Sequence, residues 1–336
     1  MPPIVSVEDL RVRFTTPDAV VHAVNGVSFE LDAGRVLGIL GESGSGKSVT
    51  LRALIGLLPP RRSHVEGRIS VAGHDIVNMS DAELREVRGT KIAMIFQEPM
   101  TALDPVFTIG QQIAETIVRH EGVPRDAANR RALELLEMVQ IPSAARRLKS
   151  YPHEMSGGMR QRAMIALALS CSPAVLLADE PTTALDVTVQ IQIIVLLRQL
   201  QQELGMAVVF VTHDVGVAVE VADRIAVMYA GRFVETGPTD SVIRSPSHPY
   251  TAGLLASTVL GAAQGTRLEA IPGAPPDMPA LPPGCSFAQR CRFADKRCIR
   301  DLPPEVALAS DHMVRCLRVA AGEIPLARPK VAETVR

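Results

Sequence analysis

Residues Gly41-Glu42-Ser43-Gly44-Ser45-Gly46-Lys47-Ser48 fit the pattern G-x-x-x-x-G-K-[ST]. Glycines in such a loop let backbone N–H groups turn inward around phosphate oxygens, and a following helix adds its positive dipole end. Lys47 is spaced to reach β- and γ-phosphates and Ser48 to ligate Mg²⁺, with Val49 flanking them. A second constellation is Ala174-Val175-Leu176-Leu177-Ala178-Asp179-Glu180, an apolar run that ends in two carboxylates. Asp179 suits holding Mg²⁺, directly or through water, and Glu180 suits polarising an attacking water. Taken alone, the pair is equally a strand with an acidic end. In Met155-Ser156-Gly157-Gly158-Met159, Ser156 is a good N-cap and the glycines expose the following amides. That makes a second anion site, although an ordinary capped helix explains this piece by itself.

Cysteines form the last constellation. Of the five, Cys285, Cys291, Cys298 and Cys316 fall close together, spaced x5, x6 and x17. A reducing compartment argues against disulfides and for metal or cluster ligation. Structural zinc usually shows a close C-x₂₋₄-C pair, which is missing, so a [4Fe–4S] cluster is expected, with Zn²⁺ as the alternative and four free thiols as the plain reading. Cys171 follows the apolar run of residues 163–169 and reads as a small buried hydrophobe.

These residues need elements to position them. Residues 4–14 and 20–31 alternate apolar and polar side chains and are expected to be antiparallel strands. Residues 36–40 form a short buried strand before the glycine-rich loop, and a helix is expected from Lys47 to Leu58, ahead of Pro59-Pro60. Another buried strand covers 92–96, and from 99 to about 170 the pattern is mostly helical. Strand–helix alternation returns over 174–178, 187–204 and 206–211, which indicates a mainly parallel sheet. After about Ser245 prolines cluster at 272, 275, 276, 279, 282 and 283 and predict a stiff linker into the cysteine segment. The end beyond Gly322 is expected to be poorly ordered.

Composition bounds the function. The chain has 336 residues, 47% hydrophobic and 21% charged, so it can bury a sizeable core. Lys+Arg 35 against Asp+Glu 36 leaves no basic excess for nucleic acid, and 3% aromatic residues make a base-stacking platform improbable. Mean hydropathy is +0.17, yet no apolar run approaches the ~20 residues of a spanning helix. The start, Met1-Pro2-Pro3-Ile4, carries no signal-peptide pattern, so a cytoplasmic location is expected.

The phosphate loop, Gln97, Ser156-Gly157-Gly158, Asp179-Glu180, Ala184-Leu185-Asp186 and His213 stand in the order found in ATP-binding cassette (ABC) ATPases. The chain resembles that superfamily over about residues 4–240. Within it, the chain resembles the ATPase subunits of dipeptide and oligopeptide importers. The supporting stretches are Phe96-Gln97-Glu98-Pro99-Met100-Thr101-Ala102-Leu103-Asp104-Pro105, His248-Pro249-Tyr250-Thr251 and the late cysteines.

The resemblance implies an α/β, P-loop NTPase fold: a RecA-like core, an antiparallel β subdomain and a helical subdomain at about 99–165. These make a nucleotide-binding domain over 1–245, followed by a cysteine-rich extension over 246–336. It implies a head-to-tail dimer in which Ser156, Gly157 and Gly158 of one subunit contact the γ-phosphate held by the other's Lys47. Gln97 would ligate Mg²⁺ or water and sense the membrane subunit, His213 would bridge the γ-phosphate and the partner, and Asp186 would organise the dimer seam. Met159 departs from the usual Gln of that signature. Phe14 stands where the adenine-stacking residue is usually Tyr, and a buried strand Phe is its alternative reading.

The function so implied is ATP hydrolysis energising a peptide importer at the cytoplasmic face of the membrane. ATP and Mg²⁺ are the expected nucleotide and ion. The expected partners are a second ATPase subunit, a paralogue rather than an identical copy, two transmembrane permease subunits and, indirectly, an external binding protein. A nickel or glutathione importer shares all these motifs. A soluble cassette ATPase acting on DNA or ribosomes is the rival from another class, disfavoured by the missing basic excess and by the absence of a second cassette.

Overall fold

A computed structural model of the chain describes residues 2–183, 185–258 and 269–324. The end expected to be loose lies, from residue 325 on, outside the described residues, as does Ala184. The chain opens with strands β1 (Val5–Thr15) and β2 (Val20–Leu31), antiparallel as their alternation predicts. Next come β3 (Val36–Leu40), α1 (Lys47–Leu54), and the strands β4 (Ser63–Val71) and β5 (His74–Asp75), which complete a four-stranded sheet in the order β2-β1-β4-β5. Helix α1 ends before the expected Leu58. Gly56 turns the chain in the left-handed region at φ 66°, and the Arg88 guanidinium captures the freed carbonyls of Ile55 and Gly56.

Helix α2 (Asp81–Val87) begins with a capping box, in which Ser80 accepts from the Glu83 amide and Glu83 accepts from the Ser80 amide. Strand β6 (Ile92–Ile95) leads into the helical region: α3 (Pro99–Ala102), α4 (Ile109–Glu121), α5 (Arg125–Met138), α6 (Ala144–Arg147) and α7 (Gly157–Ala168). The apolar faces of α4, α5 and α7 pack together through Ile113, Ile117, Ala132, Leu136 and Ile165, all at most 1% exposed. Cys171 is buried just after α7, as its apolar neighbourhood predicts.

Alternation then resumes with β7 (Val175–Asp179), α8 (Val187–Leu204), β8 (Ala207–Thr212), α9 (Val215–Val221) and β9 (Arg224–Tyr229). Strands β9, β3, β8, β7 and β6 lie side by side, all parallel. They read as nearly continuous apolar runs because helices or sheet cover both faces. The pairs Leu40↔Thr212, Asp179↔Val211 and Ile95↔Ala178 set the C-terminal ends of β3, β8, β7 and β6 level. Strand β10 (Arg232–Pro238) runs antiparallel to β9, followed by α10 (Thr239–Arg244) and α11 (Pro249–Ala256).

The proline-rich stretch holds a short 3₁₀ turn over Met278–Ala280, and a second 3₁₀ turn over Ala288–Arg290 precedes α12 (Lys296–Arg300), β11 (Val306–Ala309), β12 (His312–Val314) and α13 (Leu317–Ala320). Strand β12 pairs with β10, so the C-terminal extension continues the main sheet, which has eight strands among the described residues. Glu235 anchors the joint. Its buried carboxylate meets His312 Nε2 at 2.8 Å and accepts from the amides of Ser247 and His248.

Candidate functional site

Strand β3 delivers the phosphate loop at its C-terminal end, where ligands bind in open α/β sheets. Two glycines are required there by contact. A Cβ at Gly41 would stand 2.3 Å from the Met228 carbonyl oxygen, and Gly46, at φ 105°, would put one 2.4 Å from that of Ala23. Lys47 is 4% exposed, and its ammonium donates to the carbonyl oxygens of Gly41 and Glu42 at 2.8 and 3.0 Å. Burial pushes its pKa down, while Glu180, Asp179 and Glu42 pull it back up. Val49 packs from α1 onto the core beneath the loop. The Ser45 hydroxyl is buried without a protein partner, a donor left over for a ligand oxygen.

Asp179, the last residue of β7, accepts from the Ser48 hydroxyl at 2.7 Å. Burial raises its pKa and the Ser48 bond opposes that rise. Glu180 follows at φ 45°, a left-handed conformation that costs a non-glycine residue on the order of 1–3 kcal/mol and that turns its carboxylate back over the loop. Oε2 of that carboxylate lies 3.1 Å from His213 Nδ1, 3.1 Å from the Thr183 hydroxyl and 3.5 Å from Gln97 Nε2. Oε1 faces Lys47 Nζ at 3.9 Å. Gln97 comes from the end of β6 and His213 from the end of β8, so four neighbouring strands feed one cluster. Hydroxyl, carboxylate and amide oxygens are hard donors of the kind Mg²⁺ takes, and Ser48, Asp179 and Gln97 supply them.

The turn expected as a second anion site stands apart from the phosphate loop. Ser156 is exposed and caps α7, accepting from the Met159 amide at 3.3 Å, and among the described residues no hydrogen bond joins this turn to the phosphate loop. Gly158 abuts the start of α8, where an added Cβ would meet Val189 at 2.7 Å. Asp186 caps α8 by accepting from the Val189 amide at 3.0 Å. Phe14 lies half-buried on β1, packed against the core below the antiparallel sheet.

The four late cysteines come together. Cys285, Cys291, Cys298 and Cys316 line one small cavity, yet among the described residues no group of three or more His, Cys, Asp or Glu side chains could hold a metal ion. That leaves the expected [4Fe–4S] or Zn²⁺ centre without support among the described residues. Burial pushes Cys285 up to about 12 and raises Cys291 and Cys316, which disfavours the thiolate in the metal-free chain.

Three contacts at the site have no counterpart in the sequence reading. Thr183 steadies Glu180. Tyr250, in the quoted His-Pro-Tyr-Thr stretch, accepts through its hydroxyl from the Glu42 amide at 3.0 Å. Arg290, beside Cys291, donates to both carboxylate oxygens of Glu42 at 2.7 and 3.0 Å. A lone arginine next to a cysteine offers no local signal of a loop 248 residues away.

Comparison with known proteins bears on this geometry. The family described as "ABC transporter" matches residues 24–183, and "Oligopeptide/dipeptide transporter, C-terminal region" matches residues 234–298. The "Dipeptide transport ATP-binding protein DppD" of Bacillus subtilis (strain 168) is 48% identical over 317 residues, covering 94% of this chain and 95% of that protein. The "Oligopeptide transport ATP-binding protein OppD" of the same organism is also 48% identical, over 93% of this chain and 88% of its own. Among solved structures, the dimeric ATP-binding cassette MJ0796 bound to ADP and Pi superposes with a TM-score of 0.63 at 30% identity, over 70% of this chain and 98% of that one.

Proposed function

The chain belongs to the ABC transporter ATP-binding proteins of the oligopeptide/dipeptide type, and from that premise we propose how its residues energise transport. The protein is an ATPase, and its hydrolysis of ATP energises a peptide importer. In the proposed reaction water attacks the γ-phosphorus in line with the leaving oxygen. The bond from water oxygen to phosphorus forms, the bond to the β-phosphate oxygen breaks with its electron pair on ADP, and Glu180 takes the water proton. His213, Thr183 and Gln97 hold that carboxylate in place. Lys47 exchanges the Gly41 and Glu42 carbonyls for phosphate oxygens. Mg²⁺ held by Ser48, Asp179 and Gln97 would neutralise phosphate charge. Phe14 would stack on the adenine.

The observation that carries this reading is the meeting of Ser48, Asp179, Glu180, Gln97 and His213 at the ends of four adjacent parallel strands. The free Ser156-Gly157-Gly158 turn supports a head-to-tail dimer, each turn completing the other subunit's site, with Asp186 at the seam. We take the second ATPase subunit to be a paralogue. Exposed Met100, Val106 and Phe107 near Gln97 fit docking of two permease subunits, at the cytoplasmic face of the membrane. No helix among the described residues is long and apolar enough to cross a membrane itself. The nucleotide-binding domain would span 1–245 and the extension 246–336. The cysteine cavity, lined by sulfur and apolar groups apart from His248 and Arg318, would close on a [4Fe–4S] cluster, or on zinc, with a structural role.

Cells carrying the assembled transporter should lose uptake of labelled dipeptides and oligopeptides when Glu180→Gln is introduced. Undiminished uptake would remove this chain as the energy source. Loss confined to nickel or glutathione uptake would reassign the solute.

A further inference from the structure

We propose that Arg290 and Tyr250, both outside the cassette's own motifs, are positioning residues that hold the phosphate loop by Glu42 and so set its affinity for the phosphates of Mg-ATP. The inference rests on the ATPase reading above. Glu42, the second residue of the loop, is tied at each of its polar groups. Its amide donates to the Tyr250 hydroxyl at 3.0 Å, its carbonyl accepts from Lys47 at 3.0 Å, and its carboxylate is gripped by both Nη atoms of Arg290 at 2.7 and 3.0 Å. The grip itself is anchored. Arg290 Nε donates to the Pro272 carbonyl at 2.9 Å and Nη1 to the Tyr229 hydroxyl at 3.2 Å. The guanidinium also lies 5.8 Å from the Tyr229 ring and 5.9 Å from that of Phe287. The Arg290 side chain is 6% exposed and that of Glu42 26%, so the fork sits where its geometry is held by packing.

A staple serving stability alone could join the extension to the cassette anywhere. This one lands on a loop that gives up part of its own internal support when it works. In the free chain Lys47 braces the loop through the carbonyls of Gly41 and Glu42. Phosphates that recruit the Lys47 ammonium withdraw that brace, and Glu42 then keeps the ties from Arg290 and Tyr250 and a longer bond of 3.3 Å from the Ser45 amide to its carbonyl. A loop kept in its binding shape from outside loses less conformational freedom on closing around phosphate, which is affinity through preorganisation. The clamp belongs to the cysteine segment. Phe287 lines the thiol cavity, and Cys291 follows Arg290 directly.

The test measures equilibrium binding of Mg-ATP to the purified full chain and steady-state hydrolysis by the assembled transporter. Arg290→Gln should raise both Kd and KM about tenfold, the scale of a lost charge-assisted pair, with kcat at saturating ATP within about twofold of the parent. Arg290→Lys, which keeps the charge but not the fork, should recover part of the loss. Tyr250→Phe keeps the ring against Tyr229 and Phe287 and removes one oxygen, so it should raise Kd about threefold, the lower end of a single hydrogen bond's worth. If Arg290→Gln fails to fold, Tyr250→Phe decides alone. A Kd within twofold of the parent in the folded variants, or a fall in kcat at unchanged KM, would overturn the proposal. A parent chain that binds no nucleotide overturns the ATPase reading and this inference together, whereas a parent that binds and variants that bind equally overturn this inference only.

Discussion

At the residue scale the proposed reaction divides its labour between a carboxylate that would act on water and an ammonium that would act on phosphate. Glu180 sits in a left-handed conformation with three hydrogen-bonding groups on one oxygen, which in the proposed reaction would aim the carboxylate without adding to nucleotide affinity. Lys47 is buried, and its charge is held by carbonyl oxygens and by facing carboxylates. The two substitutions should therefore separate. Glu180→Gln should bind Mg-ATP within about threefold of the parent while turnover falls by about 10²–10⁴, the scale of a lost general base. Lys47→Ala should weaken binding itself by about tenfold or more, since a charged donor to phosphate is gone. Nucleotide titration beside single-turnover hydrolysis reads both quantities, and equal loss of binding in the two variants would refute the division.

At the element scale the parallel strands deliver the site, and their spacing depends on ties beneath it. Asp223, just before β9, accepts from the Val36 amide of β3 at 2.8 Å and from Arg198 of α8 at 2.8 Å, joining three elements. Burial pulls its pKa up, but the bonds from Arg198 and Val36 outweigh burial and hold the carboxyl below its ordinary range. A depressed carboxylate stabilises the fold above its unfolded pKa of about 3.9, and that contribution is lost as pH falls through the folded value. Asp223→Asn should thus lower stability by about 2 kcal/mol at pH 7, and the gap to the parent should narrow below about pH 4. Denaturant melts at the two pH values check it, and a gap that widens in acid would contradict the assignment.

At the scale of the whole molecule, two features point outward from the single chain. In the proposed head-to-tail dimer the Ser156 turn would offer its amides to the other subunit's site, so in a mixed dimer Ser156→Arg on one subunit should stop hydrolysis at the phosphate loop of the other. Normal cleavage of both ATPs in that dimer would rule out head-to-tail sharing. The cysteine cavity gathers four sulfur atoms from a segment with little core of its own. Protein purified without oxygen should be brown, with about four irons per chain. A colourless preparation with one zinc would exchange the cluster for zinc, and a metal-free one would leave only packed thiols.

What the sequence by itself determined is local. The phosphate loop, the strand ending in Asp179-Glu180 and the Ser156 cap were legible because each demands particular residue types at a set spacing, imposed by backbone geometry a few residues long. The parallel core was legible too, since strands buried on both faces must be apolar throughout. The order of β6, β7, β8 and β3, and the level at which they end, belong to the tertiary structure. Neither is written within any one strand, yet together they bring Gln97 and His213 onto Glu180. The joint of β12 to β10 and the grip of Arg290 on Glu42 likewise had no local signature, because each pairs residues tens or hundreds of positions apart. The cysteines show the division most plainly. Their number and crowding announced a shared site, but whether four thiols stand as ligands or as neutral packing groups depends on distances and burial that only the packed chain sets.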